Sequence, residues 1–220
     1  MWSCSKFRFL LPNDWYRFLQ EAQPTHLPEA FSLCWFQLTK TRRGCFSLRR
    51  SKSVSDMNPR THRQCSVQIQ NKSSMYTMSE PRIHLVSGFC DSPLPPTLGP
   101  SESGSALFIK TRDSARGSVG VFTYDLLRGS NRQLAGRMAV MFSVPYDFLL
   151  YSNWYGVGEF DGSKRCSKEL FNHMYEGLEI GFTRGKAKGP SLTHRGDWVT
   201  LRASMSDSYQ PVLKVEVSDN

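Results

Sequence analysis

The sequence predicts a mainly β protein, an antiparallel β-sandwich flanked by helices and preceded by an irregular, partly helical N-terminal extension. Three observations carry this. From Cys65 onward, short apolar runs alternate with turn residues at the spacing of a sandwich. The 220 residues suffice for a self-sustaining core. With 39% hydrophobic, 12% aromatic and 21% charged residues, the chain lacks the signature of disorder. No apolar run approaches the ~18 residues of a spanning helix, which excludes a multi-pass helical membrane protein.

Residues 1–63 form the extension and 64–220 the sandwich domain. In the extension, Trp15, Phe18, Leu19 and Ala22 share a helical face between Pro12 and Pro24, with Asn13 as N-cap. Phe31, Cys34, Trp35 and Leu38 repeat that spacing, and a basic run from Lys40 to Lys52 follows. Such a segment suits either an anionic lipid surface or a helix packed on the domain beside a solvated linker.

In the sandwich, Val67 and Ile69 alternate with polar neighbours before the turn at Asn71–Ser74. Strands are expected over 75–79 and 82–87. The Pro-, Gly- and Ser-rich stretch from Ser92 to Ser105 reads as a loop. Further strands are expected near 105–111, 118–126, 137–145, 153–160, 197–205 and 211–217. The runs 118–126 and 137–145 are apolar on both faces, which places them in the middle of the sandwich. Leu170, Phe171, Met174, Tyr175 and Leu178 form a helical stripe after Ser167, so 167–177 reads as a helix laid on a sheet.

Charge excludes one function class. The net charge is +9, but 11 Lys/Arg and 4 Asp/Glu fall in residues 1–63, leaving 17 and 15 for the rest. The folded body is nearly neutral, so no nucleic-acid partner is expected. The six cysteines show no C-x-x-C pair or zinc spacing and read as free thiols, and no metal or cofactor is expected. The apolar run after Lys6 and Arg8 stops at Pro12, so no secretory signal is evident. No G-x-S-x-G, H-E-x-x-H or phosphate loop occurs, and the five histidines are isolated in sequence. The chain is therefore not expected to be an enzyme, and no catalytic residue is assigned. Arg195-Gly196-Asp197 reads as the end of a turn rather than an adhesion signal.

The segment after Pro145 gathers Phe148, Leu149, Leu150, Tyr151, Trp154 and Tyr155 with one charge, Asp147. Two readings stand equally on patterning: a loop that meets lipid at headgroup level, or a strand pair whose aromatics are core.

The runs Gly117–Tyr124, Ala139–Asp147 and Tyr151-Ser152-Asn153-Trp154-Tyr155 resemble the actinoporins, the pore-forming cytolysins of sea anemones, most nearly the actinoporin-like proteins of fishes. The likeness extends from about Ser66 to Val217, with further marks at Val86–Phe89 and Met174-Tyr175. The resemblance implies a sandwich flanked by two helices that recognises phosphocholine headgroups, sphingomyelin above all. It also implies an N-terminal helix that enters the bilayer, and a homo-oligomeric, cation-permeable pore. It places Ser87, Val119, Ser143, Pro145, Tyr151, Phe171 and Tyr175 in the headgroup pocket, and Leu150, Trp154 and Tyr155 at the membrane interface. Aromatic faces suit a quaternary ammonium, and serine hydroxyls suit a phosphate.

Against the toxins, Phe171 and Glu176 replace tyrosines, Leu150 replaces a tryptophan, Val86 replaces an arginine, and Arg184-Gly185-Lys186 stands where they carry Arg-Gly-Asp. Residues 42–63 are basic and broken by Gly44 and Pro59, so vesicle binding is expected to exceed leakage. The expected protein is secreted or cytoplasmic in its free form and associates with target membranes. The alternative is a lectin-like module of the same fold, one shared by fungal fruit-body lectins, that recognises glycan or lipid without forming a pore.

Overall fold

The computed structural model describes residues 63–129 and 131–220. The two helical segments and the basic run expected before Arg63 lie outside the described residues. Among the described residues, twelve strands and one helix follow in chain order. They are β1 (Gln64–Asn71), β2 (Tyr76–Ser87), β3 (Phe89–Ser92), β4 (Thr97–Leu98), β5 (Ser103–Ile109), β6 (Ser118–Arg128), β7 (Gln133–Val144), β8 (Trp154–Phe160), α1 (Lys168–Glu176), β9 (Phe182–Lys186), β10 (Leu192–Arg195), β11 (Val199–Met205) and β12 (Val212–Asp219). They form two six-stranded sheets, ordered β10-β11-β12-β1-β5-β3 and β4-β2-β6-β7-β8-β9. Among the described residues every pairing is antiparallel except β1 with β12. These two strands lie far apart in sequence, so no hairpin forces them into opposite directions.

The sheets bury a shared core that includes Val67, Ile69, Phe108, Phe122, Tyr124, Phe142, Leu201 and Val215. Strands β6 and β7 occupy the centre of the second sheet, as their two apolar faces require. Phe122 and Tyr124 face the sandwich core, whereas Val119 and Val121 face the other way. Leu170, Phe171 and Met174 of α1 are buried over that outer face, where the helix contacts β2, β6, β7 and β9. The result is a second, smaller apolar layer outside the sandwich.

Several expectations change in detail. The predicted pair 75–79 and 82–87 is one strand, β2, whose register shifts between Ser79 and Arg82. Pro81 donates no ladder hydrogen bond and Glu80 adopts φ 53°, so a bulge absorbs both. The loop expected from Ser92 to Ser105 contains β4 and ends early, since β5 starts at Ser103. Leu94 and Leu98 reach the core from it, and the Tyr124 hydroxyl donates to the Pro95 carbonyl at 2.7 Å. Ser167 stands at the helix N-cap position but makes no side-chain cap bond. Leu178, expected on the buried stripe, lies past the helix end and is 79% exposed. Strands β3, β9 and β10 escape prediction because four or five mixed residues carry no readable alternation.

The Arg195-Gly196-Asp197 triplet closes the β10–β11 turn. The buried Glu159 carboxylate accepts the backbone N–H groups of Asp197, Trp198 and Val199 at 2.7, 3.1 and 2.9 Å. A side chain at Gly196 would collide with that carboxylate, a Cβ there falling 2.4 Å from it.

Away from the helix, Asp125 on β6 pairs with its cross-strand neighbour Arg137 at 2.6 Å and with Arg82 at 2.9 Å. Burial disfavours the charged carboxylate, but the hydrogen bonds and charges of Arg137 and Arg82 outweigh it and hold the acid below its ordinary range. A depressed folded-state pKa contributes stability that is complete above the unfolded value near ~4 and is lost as pH falls through the lowered one. Asp125→Asn is expected to destabilise the domain by about 3–5 kcal/mol at neutral pH, because it leaves the buried Arg137 without its counter-charge. Thermal unfolding followed from pH 7 to pH 3 checks this, and the acid loss of stability should shrink in the variant.

Candidate functional site

Strand register brings four of the predicted site residues into one transverse row. Ser87 pairs with Val119, Val119 with Ser143, and Ser143 with Trp154, and the row ends on Lys186 of β9. Cross-strand partners share a face, so all five project toward the side that carries α1. The helix adds Phe171 and Tyr175, whose rings stack at 5.4 Å and 13°. The phenol of Tyr175 shares a hydrogen bond with Ser143, which joins helix to row. Burial raises the Tyr175 phenol above its ordinary pKa, and the Ser143 bond offsets part of that rise.

Exposure divides the predicted pocket in two. Val119, Ser143, Pro145 and Phe171 are buried and form its floor, while Ser87, Tyr151, Trp154 and Tyr175 reach its rim. The Ser87 hydroxyl already donates to the Gly117 carbonyl at 2.8 Å, so its oxygen is left to accept rather than donate.

The segment 145–153 leaves the end of β7 and holds its tip out in solvent. Leu149 is 91% exposed, Leu150 74% and Tyr151 42%. Asp147 holds the tip, its Oδ1 accepting the N–H groups of Leu149 and Leu150 at 2.9 and 3.1 Å. Tyr155, expected at the membrane interface, is 1% exposed, and its hydroxyl donates to the Pro190 carbonyl. That expectation is corrected by strand alternation: Trp154 faces outward, so its neighbour Tyr155 must face the core.

Two features of this end went unread in the sequence. Lys186 Nζ lies 5.5 Å and Arg184 Cζ 5.9 Å from the Trp154 ring centroid, so the chain's own cations occupy the indole. Arg63, just before β1, is buried beneath the exposed tip. Its Nε donates to the carbonyls of Pro145 and Tyr146 at 3.2 and 2.9 Å, and its guanidinium sits 4.3 Å from the Tyr209 ring centroid. Tyr209 in turn packs on Phe148 at 5.0 Å. Only the pairing of distant segments creates this tie, and no local pattern signals it.

Arg63→Lys keeps the charge but loses the planar fork, so the tie should weaken by about 1.5–3 kcal/mol. Faster amide hydrogen exchange over residues 145–151, with the β-sheet amides unchanged, is the expected outcome.

Comparison with known proteins agrees with the architecture. The family model described as sea anemone cytotoxic protein matches residues 44–219. The deep-sea actinoporin Cjtox I of Cribrinopsis japonica is 29% identical over 159 residues, covering 71% of this chain and 66% of its own. DELTA-actitoxin-Aas1a of Anthopleura asiatica is 34% identical over 174 residues, 76% of this chain and 72% of its own. Other anemone relatives match over a shorter stretch, as little as 37% of their own length. Among solved structures, the lipid binding protein Nakanori superposes with a TM-score of 0.54 at 12% identity over 70% of each chain, a likeness of fold alone.

Proposed function

The chain belongs to the sea anemone cytotoxic protein family, and from that membership and the site geometry we propose that it is a membrane-binding, cytolysin-like protein that docks on phosphocholine lipid headgroups. It acts by binding rather than by catalysis. The observation that carries the reading is a conjunction at one end of the sandwich. An aromatic rim, with Tyr175 stacked on Phe171 and Tyr151 nearby, stands beside a loop tip that holds Leu149 and Leu150 out in solvent. Exposed apolar residues on a braced loop suit shallow insertion, and aromatic rings beside them suit a quaternary ammonium.

Pore assembly is the further step of this proposal. Among the described residues no helix is long and apolar enough to cross a membrane. A helix spanning ~30 Å of hydrocarbon needs about 20 residues.

Co-sedimentation with vesicles, with and without sphingomyelin, tests the docking step. Tyr151→Leu combined with Tyr175→Leu keeps apolar area and removes two ring faces, each worth roughly 0.5–2 kcal/mol toward a cation. Binding to phosphocholine vesicles should fall at least about fivefold while the circular dichroism spectrum holds. Undiminished binding by the folded double variant would refute the pocket.

Leakage is read separately. Dye release per bound molecule is expected to fall well below that of an anemone toxin assayed beside it. Release equal to the toxin's, abolished by deleting residues 1–62, would instead assign a spanning helix to that segment.

A further inference from the structure

We infer that the Trp154 edge of the pocket is a phosphate subsite, formed by Lys186 and Arg184, that directs the protein to membranes carrying an anionic phospholipid beside phosphocholine lipid. The inference rests on the membrane-docking reading and specifies the charge of the headgroup.

Trp154 has the composition of a choline wall but not the electrostatics. Lys186 and Arg184 both lie within 6 Å of its ring, so an incoming quaternary ammonium would meet two like charges and compete for an occupied π face. Choline is thereby left to Tyr151, Tyr175 and the Phe171 stack. The same two cations offer donors to a phosphate oxygen. Lys186 is exposed and makes no ion pair among the described residues, and the carboxylate nearest Arg184, that of Glu179, stands at 4.0 Å, the outer limit of a salt bridge. Their charge is thus available to a ligand.

The opposing charges at this end are few and partly engaged. Glu176 is exposed at the end of α1, where it and Arg184 act on Tyr175 with opposite sign. Asp147 Oδ1 is held by the backbone of its own loop, and Asp207 faces Lys188 at 3.9 Å. The loop between β5 and β6 reaches the same end, where Lys110 Nζ lies 5.6 Å from the Tyr146 ring centroid. That loop adds the exposed Arg112 and Arg116, which form no ion pair among the described residues, and the exposed Asp113 between them, so with Lys110 it contributes a net positive charge. If Leu149 and Leu150 enter the interface, these cations lie at headgroup depth, where each Lys or Arg near an anionic surface strengthens binding by roughly fivefold.

The test compares the full chain on vesicles of phosphatidylcholine and sphingomyelin with the same vesicles containing phosphatidic acid. The expected result is tighter binding to the anionic set and, in Lys186→Glu, a fall of about tenfold or more in the ratio of anionic to neutral affinity. Arg184→Gln should lower the ratio less. Lys214→Glu, an exposed change on β12 in the other sheet, should leave it unaltered. Glycerol phosphate that competes in solution identifies the phosphate group itself as the ligand. Failure to compete, with the Lys186 dependence intact, identifies the membrane-held lipid; both results support the subsite. An unchanged ratio in Lys186→Glu, or an equal fall in Lys214→Glu, overturns it. Wild-type protein that binds neutral vesicles with no anionic preference also refutes the subsite and leaves the docking reading standing. Binding confined to anionic vesicles and lost in Lys186→Glu does the reverse.

Discussion

Strands β6 and β7 must bury both of their faces, and most of the molecule follows from that requirement. One face is covered by the opposing sheet. The other needs an apolar cover of its own, which α1 supplies with Leu170, Phe171 and Met174. Nine helical residues cannot cover eleven- and twelve-residue strands along their length. Towards one end of the uncovered face, Asp125 and the arginines form a satisfied ionic network. Towards the other, the row from Ser87 to Lys186 meets Phe171 and Tyr175 of the helix. The candidate site lies where the second apolar layer runs out.

That position gives the site its division of labour. The floor residues Val119, Ser143 and Phe171 serve the structure, since each is buried in the contact between helix and sheet. In the proposed docking, specificity therefore falls to the rim. Trp154 carries Lys186 and Arg184 beside its ring, and Tyr175 stacks on Phe171. In the proposed docking, the aromatic side takes choline and the cationic side takes the phosphate of a neighbouring anionic lipid.

The loop tip depends on a separate support. Leu149 and Leu150 gain nothing from packing where they stand, so their placement is held by polar contacts beneath them. Asp147 caps the tip through its side chain, and Arg63 binds the Pro145 and Tyr146 carbonyls from below while resting on Tyr209. A buried guanidinium with several partners is expensive to disturb, which makes the tip stiffer than its exposure suggests.

How much of this was legible in the sequence differs by level. Alternation in 66–70, the two-faced runs at 118–126 and 137–145, and the stripe at 167–177 determined the sandwich, its central strands and its covering helix, because burial imposes a period on neighbouring residues. The family runs around Ser143–Asp147 and Tyr151–Tyr155 pointed to the end of the molecule where β7, the exposed loop tip and β8 meet. Sequence by itself did not separate Trp154 from Tyr155, since in an aromatic cluster either strand face can be the apolar one; only packing against the opposite sheet decided that Tyr155 is core. Nor did it reveal Arg63 beneath the loop, the turn held by Glu159, or the cations on Trp154. Each joins residues 30 or more positions apart, and such a contact leaves no periodic trace in the chain until tertiary pairing brings its members within a few ångströms.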